Sequence, residues 1–406
     1  MRISRFAFHF YNLFPSSFKH SYQILGFSGV FRLHKLCSSR PGDQWENNLS
    51  RFLSASPPKM KAVVIKGKEA YVDRDRPVPK LRDDYILVKT AAVALNPTDW
   101  KHIAFGLGAQ GGLAGCDFSG TVEEVGSSVT KSWSKGDRVA GVAHGGNAVQ
   151  PEDGAFAEYV LAKGDIQLKI PDSLSFEAAA TLPLGTTTVM QGLFQKALKL
   201  NWPTDPVKEK TYVLIYAGST ATGALGIQFA NLAGYTVLTT CSPRNFEYVK
   251  SLGAAEVYDY NDKEAASKIR QLTDNKLKLA WDPISEKESA QFCADALSSE
   301  SGGRYGSILP VKCPREDVES VSTLMYTIFG EPFKFGPQEI PAVDEDFEYA
   351  KKFLAMTEAL LKEGKIKAHK QTVGKDGLEG VLKGLDDMKN GKVSGEKLVY
   401  RVAETP

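Results

Sequence analysis

The sequence predicts an α/β fold, a small β-barrel or sandwich-like domain followed by a doubly wound parallel sheet. Between residues 61 and 165, short strand-like runs are broken by Gly, Pro and Asp turns, the spacing of a small all-β domain. Beyond residue 212, unbroken apolar runs alternate with helical patterns, as strands covered by helices on both faces do. At 406 residues the chain has room for roughly two to three domains. Its core is large enough to need no disulfide or metal staple.

The elements follow in order. Met60-Lys61-Ala62-Val63-Val64 opens a first strand; Tyr85–Lys89, Gly120–Val122 and Asp137–Ala140 continue the β-rich part. Residues 176–200 turn helical, with Ala- and Leu-rich periodicity. Tyr212–Tyr216 is a continuous apolar strand, and a helix runs from Gly223 to Ala233 with Leu225, Ile227, Phe229 and Leu232. Strand Val237–Thr240, helix Phe246–Leu252 and strand Val257–Tyr258 come next. Helix Ala265–Leu272 leads to strand Leu277–Trp281, and helix Ser289–Leu297 to strand Tyr305–Leu309. The tail reads as helices over 347–362 and 376–389 and a last strand, Lys397–Tyr400.

The N-terminal stretch stands apart. Residues 1–59 hold eight Lys/Arg against two acids, a balance of +6, whereas residues 60–406 hold 42 against 46, a balance of −4. No acid occurs before Asp43. An acid-poor, Arg- and Ser-rich leader is the composition of a mitochondrial transit peptide. A misread extension upstream of Met60 would look the same. The segment is expected to lack a fold of its own. The body is expected to be cytoplasmic, or mitochondrial if the leader is a genuine transit peptide.

No uncharged apolar run approaches the ~18 residues of a membrane span. A net charge of +2 argues against a nucleic-acid-binding face. Cys37, Cys116, Cys241, Cys293 and Cys313 lie far apart, which indicates a reducing compartment and no disulfide framework.

The main chemical signal follows strand 212–216. Ala217-Gly218-Ser219-Thr220-Ala221-Thr222-Gly223 enters a helix there, the position of a dinucleotide-binding turn. Gly218 would make the tight turn, Gly223 would let helix and sheet approach, and pyrophosphate would sit on the helix N-terminus. Thr220 stands where the fingerprint has its second Gly; its hydroxyl could bond a phosphate. The next strand ends in Cys241-Ser242-Pro243-Arg244-Asn245, without the acid that grips an NAD ribose. Ser242 and Asn245 can donate to a 2′-phosphate and Arg244 can neutralise it, so NADPH is expected over NADH.

Asn96-Pro97-Thr98-Asp99, Gly115-Cys116-Asp117-Phe118-Ser119-Gly120-Thr121-Val122, Gly136-Asp137-Arg138-Val139 and Gly154-Ala155-Phe156-Ala157-Glu158-Tyr159 resemble the zinc-independent branch of the medium-chain dehydrogenase/reductases. Cys241–Phe246, Ile328-Phe329-Gly330-Glu331 and Ser394-Gly395-Glu396-Lys397-Leu398 resemble fungal trans-acting enoyl reductases and ToxD-like proteins within it. The resemblance covers residues 60–402. It implies a GroES-like barrel domain over 60–185 and 345–406, a Rossmann domain over 186–344, and a site in the cleft between them. It implies cofactor contacts at Pro97, Thr98, Asp99 and Trp100, at Ser219, Thr220, Ala221 and Thr222, and at Ser242, Pro243, Arg244 and Asn245. Tyr260, Ile308, Leu309, Ser394 and Gly395 join them. Substrate contacts would come from Leu182, Pro183, Leu184 and Gly185 and from Tyr326, Thr327, Ile328, Phe329 and Gly330.

No zinc is expected. The body has only His102, His144 and His369, none at ligand spacing to a Cys, and zinc needs three or four such ligands. Cys116 reads as a small buried strand residue, His144 as a polar loop residue, and Glu152-Asp153 as a solvated loop. Lys101 and Thr98 are the candidate catalytic donors, since a cation beside the nicotinamide segment could polarise a carbonyl or supply a proton. The implied activity is NADPH-dependent reduction of an activated C=C, on a small-molecule or carrier-bound acyl substrate, with a polyketide synthase as partner. A quinone or small-enone reductase and a non-catalytic NADPH-binding protein are the alternatives. Monomer and homodimer are both compatible with the sequence.

Overall fold

A computed structural model describes residues 58–406, together with the antiparallel pair β1 (Gln23–Leu25) and β2 (Val30–Arg32). The rest of the expected leader lies outside the described residues up to Pro57. Its end shifts: Lys59 already belongs to strand β3 (Lys59–Lys66), where its ammonium meets Asp75. Residues 58–406 form one compact unit.

Strand β3 pairs with β4 (Glu69–Pro77) as a hairpin. β5 (Tyr85–Ala94) is longer than its sequence pattern suggested, and β-bulges after Leu87 and Thr90 bend it. That bend lets one strand serve several neighbours. Pro97 then starts helix α1 (Pro97–Ala104), with Pro at the first helical position, where its missing N–H costs nothing. The Asp99 carboxylate accepts the Asn96 N–H at 2.7 Å and closes the turn. β6 (Asp117–Val125), β7 (Arg138–Val142), β8 (Tyr159–Lys163) and β9 (Leu168–Lys169) complete the first part. The helical stretch expected over 176–200 is broken into α2 (Phe176–Ala179), α3 (Pro183–Val189) and a π-turn, Met190–Gln195. Pro183 explains the first break, since it cannot donate to a preceding turn.

The second part is β10 (Tyr212–Ile215), α4 (Ala221–Leu232), β11 (Thr236–Thr240), α5 (Phe246–Ser251), β12 (Glu256–Tyr258), α6 (Ala265–Leu272), β13 (Leu279–Asp282), α7 (Lys287–Ala296), β14 (Gly303–Ser307) and β15 (Val318–Ser322). The sheet order is β12-β11-β10-β13-β14-β15, with every neighbour parallel. Counted from β10 as the first strand, this is the 3-2-1-4-5-6 order of a dinucleotide-binding sheet, with its crevice where the order reverses between β10 and β13. Val213, Ile215, Leu225, Phe229 and Trp281 form the core on one face of this sheet, and Leu214, Leu238, Ile269 and Tyr305 that on the other.

The chain then makes a small hairpin, β16 (Phe333–Phe335) with β17 (Gln338–Ile340), and helix α8 (Asp344–Lys362). α8 spans both parts. Its Phe353 packs on Phe194 and Phe229, while its Glu358 accepts from the Lys169 N–H and from Lys131. β18 (Gln371–Gly374), α9 (Gly377–Lys389) and β19 (Lys397–Arg401) return to the barrel. β19 inserts between β18 and β5, giving the order β18-β19-β5-β6-β7-β9 with β8 on β5. The tail therefore completes a domain begun more than two hundred residues earlier. Among the described residues, no helix is long and apolar enough to cross a membrane.

Candidate active site

The turn after β10 is tight and leads directly into α4. Ala217 adopts a left-handed backbone (φ 53°), and a Cβ on Gly218 would lie 2.1 Å from Thr239 Oγ1. Only glycine fits there. A Cβ on Gly223 would strike the Ala217 carbonyl at 2.4 Å. The Thr220 hydroxyl, which could bond a phosphate, caps α4: it accepts the Gly223 N–H at 3.0 Å and donates to the Ala217 carbonyl at 2.9 Å. The half-buried Ala221 and Thr222 follow at the first turn of α4, where free amides favour an anion.

The structure gathers the other nucleotide candidates from distant segments. The exposed Arg244 donates to the Ser394 hydroxyl at 2.8 Å across 150 positions of sequence. Gly395 lies against the Asn245 amide, 2.9 Å from where a Cβ would sit, and Asn245 Nδ2 is buried without a hydrogen-bond partner. Ser242 Oγ and the Tyr260 hydroxyl lie 3.4 Å apart. Pro243, next in the chain to Ser242, is exposed. Ile308 and Leu309 follow β14, and their N–H groups both donate to Ser285 Oγ. An orphaned buried amide, a guanidinium and the three hydroxyls of Ser394, Ser242 and Tyr260 fit a phosphorylated ribose.

A second cluster forms around α1. Thr98 Oγ1 shares hydrogen bonds of 3.0 Å with the Tyr326 hydroxyl and with His102 Nδ1, which also donates to the Thr98 carbonyl at 2.9 Å. Cys116 Sγ lies 3.8 Å from the same Tyr326 hydroxyl. The His144 ring stacks on Tyr326 at 4.2 Å between centroids and meets Phe333 edge-on. His144 is thus a buried aromatic-like residue and not the polar loop residue its sequence suggested. Burial lowers its pKa to about 3, helped by His102. Burial, joined by the neighbouring Asp117, pushes the Asp99 carboxyl up to about 7, against the Asn96 hydrogen bond. Lys101 is half-buried, with its ammonium 5.7 Å from the Trp100 ring centroid.

The substrate candidates converge as well. Leu182, Pro183, Leu184 and Gly185 are buried at the start of α3, with the Leu184 N–H donating to Asp117 Oδ1 at 2.7 Å. Tyr326, Thr327, Ile328 and Phe329 form a buried 3₁₀ turn that ends on Gly330 at φ 64°. Of these, Leu182 and Ile328 are wholly enclosed by core. The Thr327 hydroxyl turns away to Asp346 and Gln191. At the other end of the turn, Glu331 accepts from the Tyr85 hydroxyl at 2.9 Å and from Lys163 at 2.6 Å. Sequence reasoning missed this clamp, and it misplaced Asp153. That residue is 3% exposed and pairs with Arg82, 71 positions earlier.

Among the described residues, no group of three or more His, Cys, Asp or Glu is disposed to hold a metal. Asp117 is committed to Lys397 at 2.5 Å. The Cys116 thiol is pushed well up by burial, and the Tyr326 hydroxyl stands against it. Cys241, Cys293 and Cys313 are buried too, and burial raises each of their thiols.

Residues 82–172 match the alcohol dehydrogenase GroES-like domain, and residues 221–307 match a family described as zinc-binding dehydrogenase, whose metal the donors above do not fit. The chain is similar to the trans-enoyl reductase resD of Aspergillus sclerotiorum, 47% identical over 351 residues, which are 82% of this chain and 97% of the relative. It is 56% identical over 274 residues to the trans-enoyl reductase TOXD of Cochliobolus carbonum, 67% of this chain and 91% of that one. Among solved structures, the quinone oxidoreductase of Coxiella burnetii matches with a TM-score of 0.64 and 26% identity, over 85% of this chain and all of the other.

Proposed function

We propose, because the chain belongs to the zinc-independent medium-chain dehydrogenase/reductases and there to the fungal trans-enoyl reductases, that it reduces the activated C=C of an enoyl thioester in secondary metabolism. The observation that carries the reading to this chain's own chemistry is the meeting of α1 with the Tyr326 turn, through the Thr98–Tyr326 hydrogen bond. We further propose NADPH as the reductant. It is supported by Arg244 and Ser394 at the rim and by the absence of an acid at the end of β11.

When bound, the nicotinamide supplies a hydride to the β-carbon of the substrate. The chain's residues hold, orient and balance charge around that event. Pro97–Trp100 would border the ring, and the buried Leu184 and Phe329 would wall the acyl chain from water. Negative charge develops on the thioester oxygen, and a donor fixed before the reaction stabilises it without reorganisation. Lys101 is the lysine of α1 proposed for that role; Thr98, held between Tyr326 and His102, is the alternative. An acyl chain carried by a polyketide synthase is the substrate form proposed, and the cytoplasm the proposed location.

The test is NADPH oxidation by purified protein with α,β-unsaturated thioesters, free and carrier-bound. Turnover is expected, with Lys101→Ala lowering kcat on the order of tenfold or more while KM moves less. Turnover of quinones or simple ketones with none of any enoyl thioester would overturn the reading. Parent-like kinetics of Lys101→Ala would remove only the assignment of the donor.

A further inference from the structure

Behind the reacting groups, one buried ion pair ties three parts of the site together. Asp117 on β6 and Lys397 on β19 are 0% and 2% exposed and meet at 2.5 Å. Two charges taken out of water repay their desolvation only when further hydrogen bonds complete them. Here those bonds lead to the site. Asp117 Oδ1 accepts the Leu184 N–H at 2.7 Å, at the start of α3. Asp117 Oδ2 accepts Asn96 Nδ2 at 2.9 Å, and the Asn96 N–H is held by Asp99 at the start of α1. Lys397 also donates to the Thr181 carbonyl at 3.3 Å. It follows closely on Ser394 and Gly395, which meet Arg244 and Asn245.

We propose that Asp117 is a positioning residue for the reaction, with Lys397 as its counter-ion. The pair sets α1 against the Leu182–Gly185 turn and ties both to the Ser394–Gly395 rim. A single carboxylate thereby fixes the nicotinamide side, the acyl side and the phosphate side relative to one another. Apolar side chains in its place would leave the Asn96 and Leu184 donors unanswered. The inference rests on the reading that α1 and α3 border the reacting atoms.

The decisive variant combines Asp117→Asn with Lys397→Met. It removes both charges at similar volume, keeps an acceptor for Leu184, and sets an amide against the Asn96 amide. Asn96→Ala is the companion that leaves the ion pair in place, and Lys397→Arg is the conservative control. Amide hydrogen exchange of the protein without cofactor is expected to quicken on the order of tenfold in Pro97–Ala104, and in Pro183–Val189 for the double variant, with β11 unchanged. The NADPH dissociation constant should rise by about threefold or more in the double variant and stay within about threefold in Asn96→Ala, kcat should fall about tenfold in both, and Lys397→Arg should behave as the parent. Unchanged exchange in these helices in both test variants would overturn the proposal. So would a uniform quickening throughout the chain with kcat per folded molecule preserved, since the pair would then only stabilise. A parent that turns over no enoyl thioester counts against the proposed function alone, because the exchange pattern still decides this question.

Discussion

Arg244 shows how a residue can be named from sequence and still owe its place to the fold. The missing acid at the end of β11 made it the expected reader of a 2′-phosphate; only the tertiary structure brings Ser394 to it. Arg244→Glu replaces attraction by repulsion at that rim. The preference for NADPH over NADH, read from the two dissociation constants, should fall on the order of tenfold to a hundredfold; an unchanged ratio would mean that another residue reads the phosphate. Thr220 teaches the converse. A hydroxyl before a helix reads equally as a cap or as a phosphate ligand, and here the Gly223 N–H has it. His144 and Asp153 were misread because their partners, Tyr326 and Arg82, are far away in sequence. His144 has a measurable consequence. Its folded pKa, near 3, lies below the ordinary 6.5, so its contribution to stability is present above pH 6.5 and is lost as pH falls toward 3. Between pH 6.5 and 5 the parent should lose about 2 kcal/mol that His144→Phe does not lose. Denaturant melts of both proteins at the two pH values check this, and parallel losses would refute it.

Among the elements, the long periodic ones were legible and the irregular ones were not. α4 and α6 declare themselves by helical periodicity and the central parallel strands by continuous apolar runs. β15 escaped because Val318-Glu319-Ser320-Val321-Ser322 is a short, half-polar edge strand. α1 escaped because an eight-residue helix starting at Pro97 reads as a turn. The 3₁₀ turn Met325–Phe329 was recognised only through resemblance, and its two anchors were not seen at all. Those anchors, Thr327 on Asp346 and Glu331 on Lys163, fix both ends of the turn proposed to meet the acyl chain. Glu331→Ala frees one end while leaving Lys163 its Asp84 partner. The expected result is a KM for the acyl substrate raised by about three- to tenfold, with NADPH affinity unchanged. An unaltered KM would show that the clamp is irrelevant to acyl binding.

At the scale of the whole molecule, the two-part architecture was visible in the change from broken to continuous apolar runs. The closure of the barrel by β19 was not, because a lone tail strand carries no mark of its neighbours. The same holds for α8, whose sequence shows an amphipathic helix without saying that Phe353 faces one part and Glu358 the other. Long-range pairing is decided by complementarity between segments and not by local pattern.

The enclosure of the cysteines bears on survival beside the proposed substrate. An α,β-unsaturated thioester is an electrophile, and the group it alkylates is a thiolate. Cys116, Cys241, Cys293 and Cys313 are each at most 7% exposed, with burial keeping every thiol protonated. The described body therefore offers a Michael acceptor no exposed thiolate among these four cysteines. Native protein incubated with a reactive enone should show no adduct on these four cysteines by peptide mass analysis, while urea-unfolded protein should be labelled at all of them. Rapid labelling of any of the four in the native state would show that its shelter opens.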